Sequence, residues 1–509
     1  MIGLLQNLPF LKRQPTLPTV PPSLELSDIQ GLIISAYPHL QAMRYCFLAI
    51  QDPVKACQWL QALLDEGLIS HGQWDLSVKP TQAINLAVTA TGLAQLQAPP
   101  ELLKSFSQEF HDGMDEPNRA RQLGDLGRNA PEHWDSCWRG QQVHVLLILQ
   151  ASPDAIEALV SEHQQRIQAN GGLQLITQEV GELPEDGREH FGFRDGISQP
   201  ILEGSPQYEK LSVQDKQGLN VIKAGEFVLG YPNEDGNLPQ TPTLAFQRDP
   251  HNHLVALDRM HRDFGRNGSY LVFRKLEQDV AAFHQYFQDQ FDESSRDKMK
   301  AKVVGRWPSG LSLAESPDYD RGPELEAALA AAQSSPQQDI NPQLVAALNA
   351  FKYRQQDPQG FRCPFGAHVR RVNPRDSFGD SAADEKAVRR RRILRRGANY
   401  GTRWKSGDPA EIAQQARGVL FFCLNANIRR QFEFVQQGWV NNPKFHGLYD
   451  ERDPLIGNNP EDQPRRMVIP GKPMAQEISL PNFVTLKGGA YFFVPSLSAL
   501  RCMASWGNS

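Results

Sequence analysis

Apolar residues along this chain switch between a strand-like and a helix-like spacing, and the switch occurs four times. "MRYCFLAI" (43–50) is a continuous apolar run of strand length. "DPVKACQWLQALLDEG" follows, with Val54, Cys57, Leu60 and Leu64 three and four residues apart and Gly67 as a stop, which predicts a helix. "QVHVLLILQAS" leads into a helix carrying Ile156, Leu159 and Ile167, with Ser152 as its cap and Pro153 at its first position. In the second half, "SYLVFRKL" precedes a helix presenting Leu276, Val280, Phe283, Phe287 and Phe291, and "GVLFFCLNA" precedes "IRRQFEFVQQGW". Further strands are predicted at "INLAVTA", "LQLITQEV", "RRILRRG" and "YFFVPSL". Each half then owns about four strands covered on one face by two helices, and the βαββαβ ferredoxin-like unit is the simplest α+β arrangement that fits. Residues 1–30 read as an irregular arm, 31–225 as the first domain and 226–509 as the second, with an Ala- and Gln-rich insertion near 320–350.

Composition narrows the function. A chain of 509 residues with 40% hydrophobic and 22% charged residues has an ordinary globular balance. Its net charge of -5 gives no general affinity for nucleic acid or an anionic membrane. The six cysteines lack CxxC spacing, which encodes neither a zinc site nor a disulfide framework and offers no covalent haem attachment. The N-terminal "MIGLLQNLPFLKRQPTLP" has no twin arginine and is broken by prolines, and no segment has the apolar run of a membrane span. A cytoplasmic location is expected. Neither a phosphate loop nor a GxGxxG motif follows a strand, so nucleotide chemistry has no support.

Three places concentrate unusual residue types. In Gly192-Phe193-Arg194-Asp195-Gly196 the glycines let the backbone turn sharply beside a flat ligand while one carboxylate is held forward; Asp-Gly alone reads equally well as a turn. "CPFGAHVRRVNPRD" (363–376) sets His368 before two arginines, and a lone histidine of this kind is commonly just a hydrogen-bonded residue. "RRRRILRRGANYG" (389–401) is either a solvated basic strand or a patch for phosphate or carboxylate groups. Taken singly, none of the three decides the chemistry.

Together they do. "GFRDG" followed by "ISQP", then "GAHVRRVNPR", "RILRRGANYG" and "GGAYFFVPS", in this order across roughly 190–500, closely resemble the dye-decolourising (DyP-type) haem peroxidase family. The resemblance implies two ferredoxin-like domains, related to the dimeric α+β barrels, with one non-covalent haem b per chain between them. It implies His368 as the proximal iron ligand, Asp195 and Arg395 as the distal catalytic pair with Arg396 as the alternative arginine, and Gly192, Phe193, Arg194, Gly196 and Phe421 against the cofactor. The implied reaction reduces hydrogen peroxide and oxidises dyes, phenols or other organic donors by one-electron steps through an oxoferryl intermediate. Neither nucleic acid nor membrane is an implied partner.

The division of labour follows from elementary chemistry. Peroxide bound opposite a single imidazole needs a proton moved from its inner to its outer oxygen before the O–O bond breaks. Asp195 is the candidate shuttle, and the permanently charged Arg395 keeps it ionised, which places best turnover at mildly acidic pH. For the acid behind the proximal histidine, Asn482, Glu477 and Glu433 are the candidate positions, and Tyr400 and Trp138 are candidate electron relays to large donors. The competing reading is a haem-binding or iron-handling protein with incidental peroxidase activity, which needs His368 but neither Asp195 nor Arg395.

Overall fold

The computed structural model describes residues 23–74, 78–324, 327, 348–349, 351–405, 414–459 and 463–508. Much of the arm and of the Ala- and Gln-rich insertion lies outside them.

The first half supplies β1 (Ala42–Ile50), β2 (Gln82–Val88), β3 (Val145–Ala151) and β4 (Leu173–Glu182). The second supplies β5 (Ser269–Gln278), β6 (Leu394–Arg395), β7 (Ala398–Tyr400), β8 (Gly418–Asn425) and β9 (Val484–Val494). β6 and β7 pair with β8 in one continuous antiparallel register, Arg395 opposite Cys423 and Ala398 opposite Leu420, so they act as a single interrupted strand. The order in the first half is β4-β1-β3-β2, and in the second β9-β5-β8-β6/β7. Each is the 4-1-3-2 order of a ferredoxin-like unit, as the repeated strand–helix pattern predicts.

The two sheets join edge to edge at Val88–Phe493 and at Glu182–Asn399, which closes an antiparallel barrel. One backbone pair holds each seam, so the interior unites the halves. Phe47 from β1 packs on Phe273 of β5 and Phe492 of β9, and Tyr45 stacks on Phe422 of β8 at 4.6 Å. These rings are 2% exposed or less, and each contributes about 1.5–3 kcal/mol of burial.

Helices α1 (Pro53–Asp65) and α2 (Ile156–Asn170) belong to the first half, and α3 (Val280–Gln290) to the second. Asp52 caps α1 by accepting the Lys55 N–H, and Pro53 opens it. Two expectations need correction. Ser152 does not cap α2 with its side chain: Pro153 and Asp154 form a turn, and the helix begins at Ile156 after Ala155. Leu276 belongs to β5 rather than to α3, whose apolar face is Val280, Phe283 and Phe287. The segment "RRQFEFVQQGWV" winds as π-helical turns, Arg429–Glu433 and Val435–Val440, a form that the 3.6-residue pattern does not signal.

Candidate active site

Strand alternation separates the two arginines of the basic run. Arg395 lies opposite Cys423, on the outer face of the barrel with Phe421, whereas Arg396 turns inward. Arg396 donates from Nε to the Leu32 carbonyl at 2.7 Å and from Nη2 to that of Ile33 at 3.1 Å, which commits it to the barrel end. Arg395 pairs through Nη1 with Asp195 Oδ1 and donates from Nη2 to the Ile197 carbonyl at 3.0 Å. Of the two arginines, Arg395 is therefore the one beside the aspartate.

Asp195 sits on a tight loop. Gly192 and Gly196 adopt φ of 97° and 76°, a region that L side chains rarely enter, and a Cβ on either would point into open space. Half of the Asp195 side-chain surface is free, yet protein surrounds the carboxylate, so it faces an internal cleft rather than bulk solvent. Burial alone would raise its pKa, but Arg395, the Gly196 N–H and the more distant His368 outweigh burial and hold it below the ordinary aspartate range. Both Arg395 and the Gly196 N–H use Oδ1, which leaves Oδ2 to take a proton.

His368 opens the short helix α4 (His368–Val372). Its Nδ1 meets Asp453 Oδ2 at 2.8 Å, and Asp453 Oδ1 accepts the N–H groups of Leu455 at 2.9 Å and Ile456 at 3.0 Å. Burial works against a charged imidazole, but Asp453 overrides it and raises the ring's hold on a proton. With Nδ1 committed, Nε2 is the nitrogen left for a ligand. His368 also feels the charges of Arg395 and Asp195, so the two pairs stand within electrostatic range of each other.

Asp453, not Asn482, Glu477 or Glu433, is the acid behind the histidine. Glu477 pairs with Arg466 at the surface, and Glu433 is taken by Arg119 and the Tyr491 hydroxyl. Tyr400 and Trp138 are 7% and 3% exposed, and Trp138 packs on Phe47 and Phe273, so neither reaches the surface where a large dye would meet it.

The remaining candidates line this region unequally. Phe421, half-buried, walls a cavity of about 60 Å³ together with Phe432, Leu276 and the buried Asp125–Arg274 pair. Phe193 instead packs into the apolar cluster of Phe283 and Trp307, and Arg194 anchors its loop by donating its backbone N–H to the Pro308 carbonyl at 3.1 Å.

Two of the motifs meet a residue outside them, Arg306, at a point that the sequence did not show. Arg306, Arg375 and Arg392 converge on Ser198: the first two donate to its hydroxyl at 2.9 and 3.0 Å, the third to its carbonyl at 2.6 Å. They are 5–9% exposed, and none pairs with a carboxylate among the described residues. Burial pulls Arg375 down to about 9, and its neighbours Arg306 and Arg392 add to this. Arg375 Nε has no hydrogen-bond partner among the described residues. A buried cation cluster without an anion fits the carboxylates of a dianionic ligand, and the open space over the glycines fits a flat one. The donor set thus suits haem: one imidazole, a facing carboxylate–guanidinium pair, and arginines for the propionates.

Comparison with known proteins agrees. Residues 247–448 match the C-terminal model of the Dyp-type peroxidases. A dye-decolorizing peroxidase of Mycetinis scorodonius is 28% identical, the alignment covering 95% of this chain and 88% of the relative. A multifunctional dye peroxidase of Amycolatopsis is 29% identical over 94% of this chain and 96% of its own. The crystal structure of a fungal DyP-type peroxidase from Auricularia auricula-judae superposes with a TM-score of 0.74 at 26% identity, covering 95% of this chain and all of the other. With its paired ferredoxin-like sheets and its ordered motifs, the chain is similar over nearly its whole length to DyP-type peroxidases.

Proposed function

We propose that this protein is a haem-dependent peroxidase that reduces hydrogen peroxide and oxidises dyes, phenols or other organic donors in one-electron steps. The observation that carries the reading is that a His368–Asp453 pair and an Asp195–Arg395 pair stand within electrostatic range of each other. One haem b, held without a covalent bond, supplies the redox chemistry of peroxide cleavage when bound there. His368 Nε2 would hold the iron, with Asp453 keeping the ring in a fixed plane and tautomer. Arg306, Arg375 and Arg392 would neutralise the propionates. Asp195 Oδ2 takes the proton from the inner peroxide oxygen and returns it to the departing one. Arg395 holds Asp195 ionised and stabilises negative charge as it develops on the peroxide. The strand partition also supports a division at about 31–225 and 226–509, with the cleft between the two parts.

The alternative of a haem carrier leaves Asp195 and Arg395 without a task. Absorption spectroscopy of haem-loaded protein separates the two readings. His368→Ala loses the Soret band, and Asp195→Ala keeps it but reacts with peroxide at least ~100-fold more slowly than wild type. Haem retained with an unchanged spectrum in His368→Ala overturns the ligand, and a wild-type rate in Asp195→Ala favours the carrier.

A further inference from the structure

The loop that carries Asp195 is folded around a second carboxylate. Glu189 Oε1 accepts the Phe193 N–H at 2.9 Å, and Oε2 accepts the Phe191 N–H at 2.9 Å and Gln278 Nε2 at 2.8 Å. The backbone closes the same loop, with the Glu189 N–H on the Phe193 carbonyl and the Asp195 N–H on that of Gly187, each at 2.9 Å. Gln278 ends β5, so its amide ties the loop to the barrel. Among the described residues Glu189 makes no ion pair; three neutral donors satisfy it. That is the arrangement of an internal template, on which a short chain segment is wound. We propose that Glu189 is the positioning residue of the distal aspartate, fixing where Asp195 stands relative to Arg395. This inference rests on the proton-carrying role proposed for Asp195 and deepens it.

The charges around Glu189 make the role testable. Asp195 on the same loop opposes its ionisation; Arg188 is directed to the Gly192 carbonyl at 3.2 Å, His190 Nε2 lies 2.8 Å from the Tyr400 carbonyl, and β5 contributes the neutral Gln278. Burial raises Glu189 above the ordinary glutamate range, against the pull of its three donors, and Asp195 adds to the rise. A proton on Glu189 turns one acceptor into a donor facing an N–H, and the loop loses a strut. The peroxide reaction therefore weakens on the acid side when Glu189, not Asp195, takes up a proton.

The test is stopped-flow measurement of the peroxide reaction from pH 4 to 8 on haem-loaded wild type, Glu189→Gln, Glu189→Asp and Asp195→Asn, with haem affinity measured in parallel. Glu189→Gln should react ~10–100-fold more slowly at neutral pH, the scale of a roughly 1 Å misplacement, and should lose the acid limb of the wild type. Haem affinity should fall less than the rate does, since His368 and the arginines at Ser198, the groups proposed to hold the iron and the propionates, make no hydrogen bond to Glu189. Glu189→Asp, a methylene too short to reach all three donors, should be slow yet keep an acid limb. Wild-type rates and limbs in both variants overturn the positioning role, and should Glu189→Gln not fold, a wild-type rate in Glu189→Asp overturns it alone. If Asp195→Asn is slow while the Glu189 variants are not, only the positioning role falls. If Asp195→Asn is as fast as wild type, the role of Asp195 falls and this inference with it.

Discussion

A single carboxylate can be read two ways until its partners are known. Asp195 and His368 were legible because their neighbours form ordered motifs. Asp453 was not: "ERDPLIG" carries no pattern, and the residue acquires its role only when the chain returns, 85 positions after His368, to lay a buried acid behind the ring. Both oxygens of Asp453 are engaged, so Asp453→Asn must turn an amide N–H toward a donor. Loss of about 10–100-fold in haem affinity or in the rate with peroxide is expected, read by haem titration and stopped-flow absorbance. The pH dependence has a sign. Because Arg395 and its neighbours hold Asp195 below the usual aspartate range, its carboxylate stays ionised throughout mild acid and is lost only as the pH falls below that range. A rate profile whose only acid limb lay below the ordinary aspartate range would be that of Asp195 alone; a limb above that range points to the second carboxylate, Glu189.

At the level of elements, the eight strand candidates were readable because strand-length apolar runs separated by helical spacing leave few alternatives. What the pattern could not show is where strands end: β9 runs for 11 residues, beyond the aromatic run that announced it, and the π-helical turns keep the apolar content of an ordinary helix. The face of each arginine, by contrast, follows from alternation once the register is known. This gives opposite outcomes for adjacent substitutions. Arg395→Ala should slow the peroxide reaction by ~100-fold or more with little change in thermal stability. Arg396→Ala should leave that rate unchanged and destabilise the fold by about 1–3 kcal/mol, because the Leu32 and Ile33 carbonyls lose their donor. Denaturant melts and stopped-flow traces on the same two proteins decide between them.

Across the whole molecule, the halves are bound by more than their two narrow seams. Arg119 of the first half holds Glu433 of the second with both carboxylate oxygens, Asn441 and Asn458 donate to carbonyls at Leu123 and Gly124, and Lys275 bridges Glu179 and Asp135. Calorimetry should therefore show one unfolding transition rather than two. Glu433→Ala, which leaves Arg119 with Asp112 alone and strands the Tyr491 hydroxyl, should lower its stability by about 1–3 kcal/mol. The arginines gathered at Ser198 carry the matter further. Three like charges share one buried shell in which no described carboxylate stands. A dianionic cofactor seated there would couple its binding to folding by mass action, so haem-loaded protein should melt at a higher temperature than the haem-free chain.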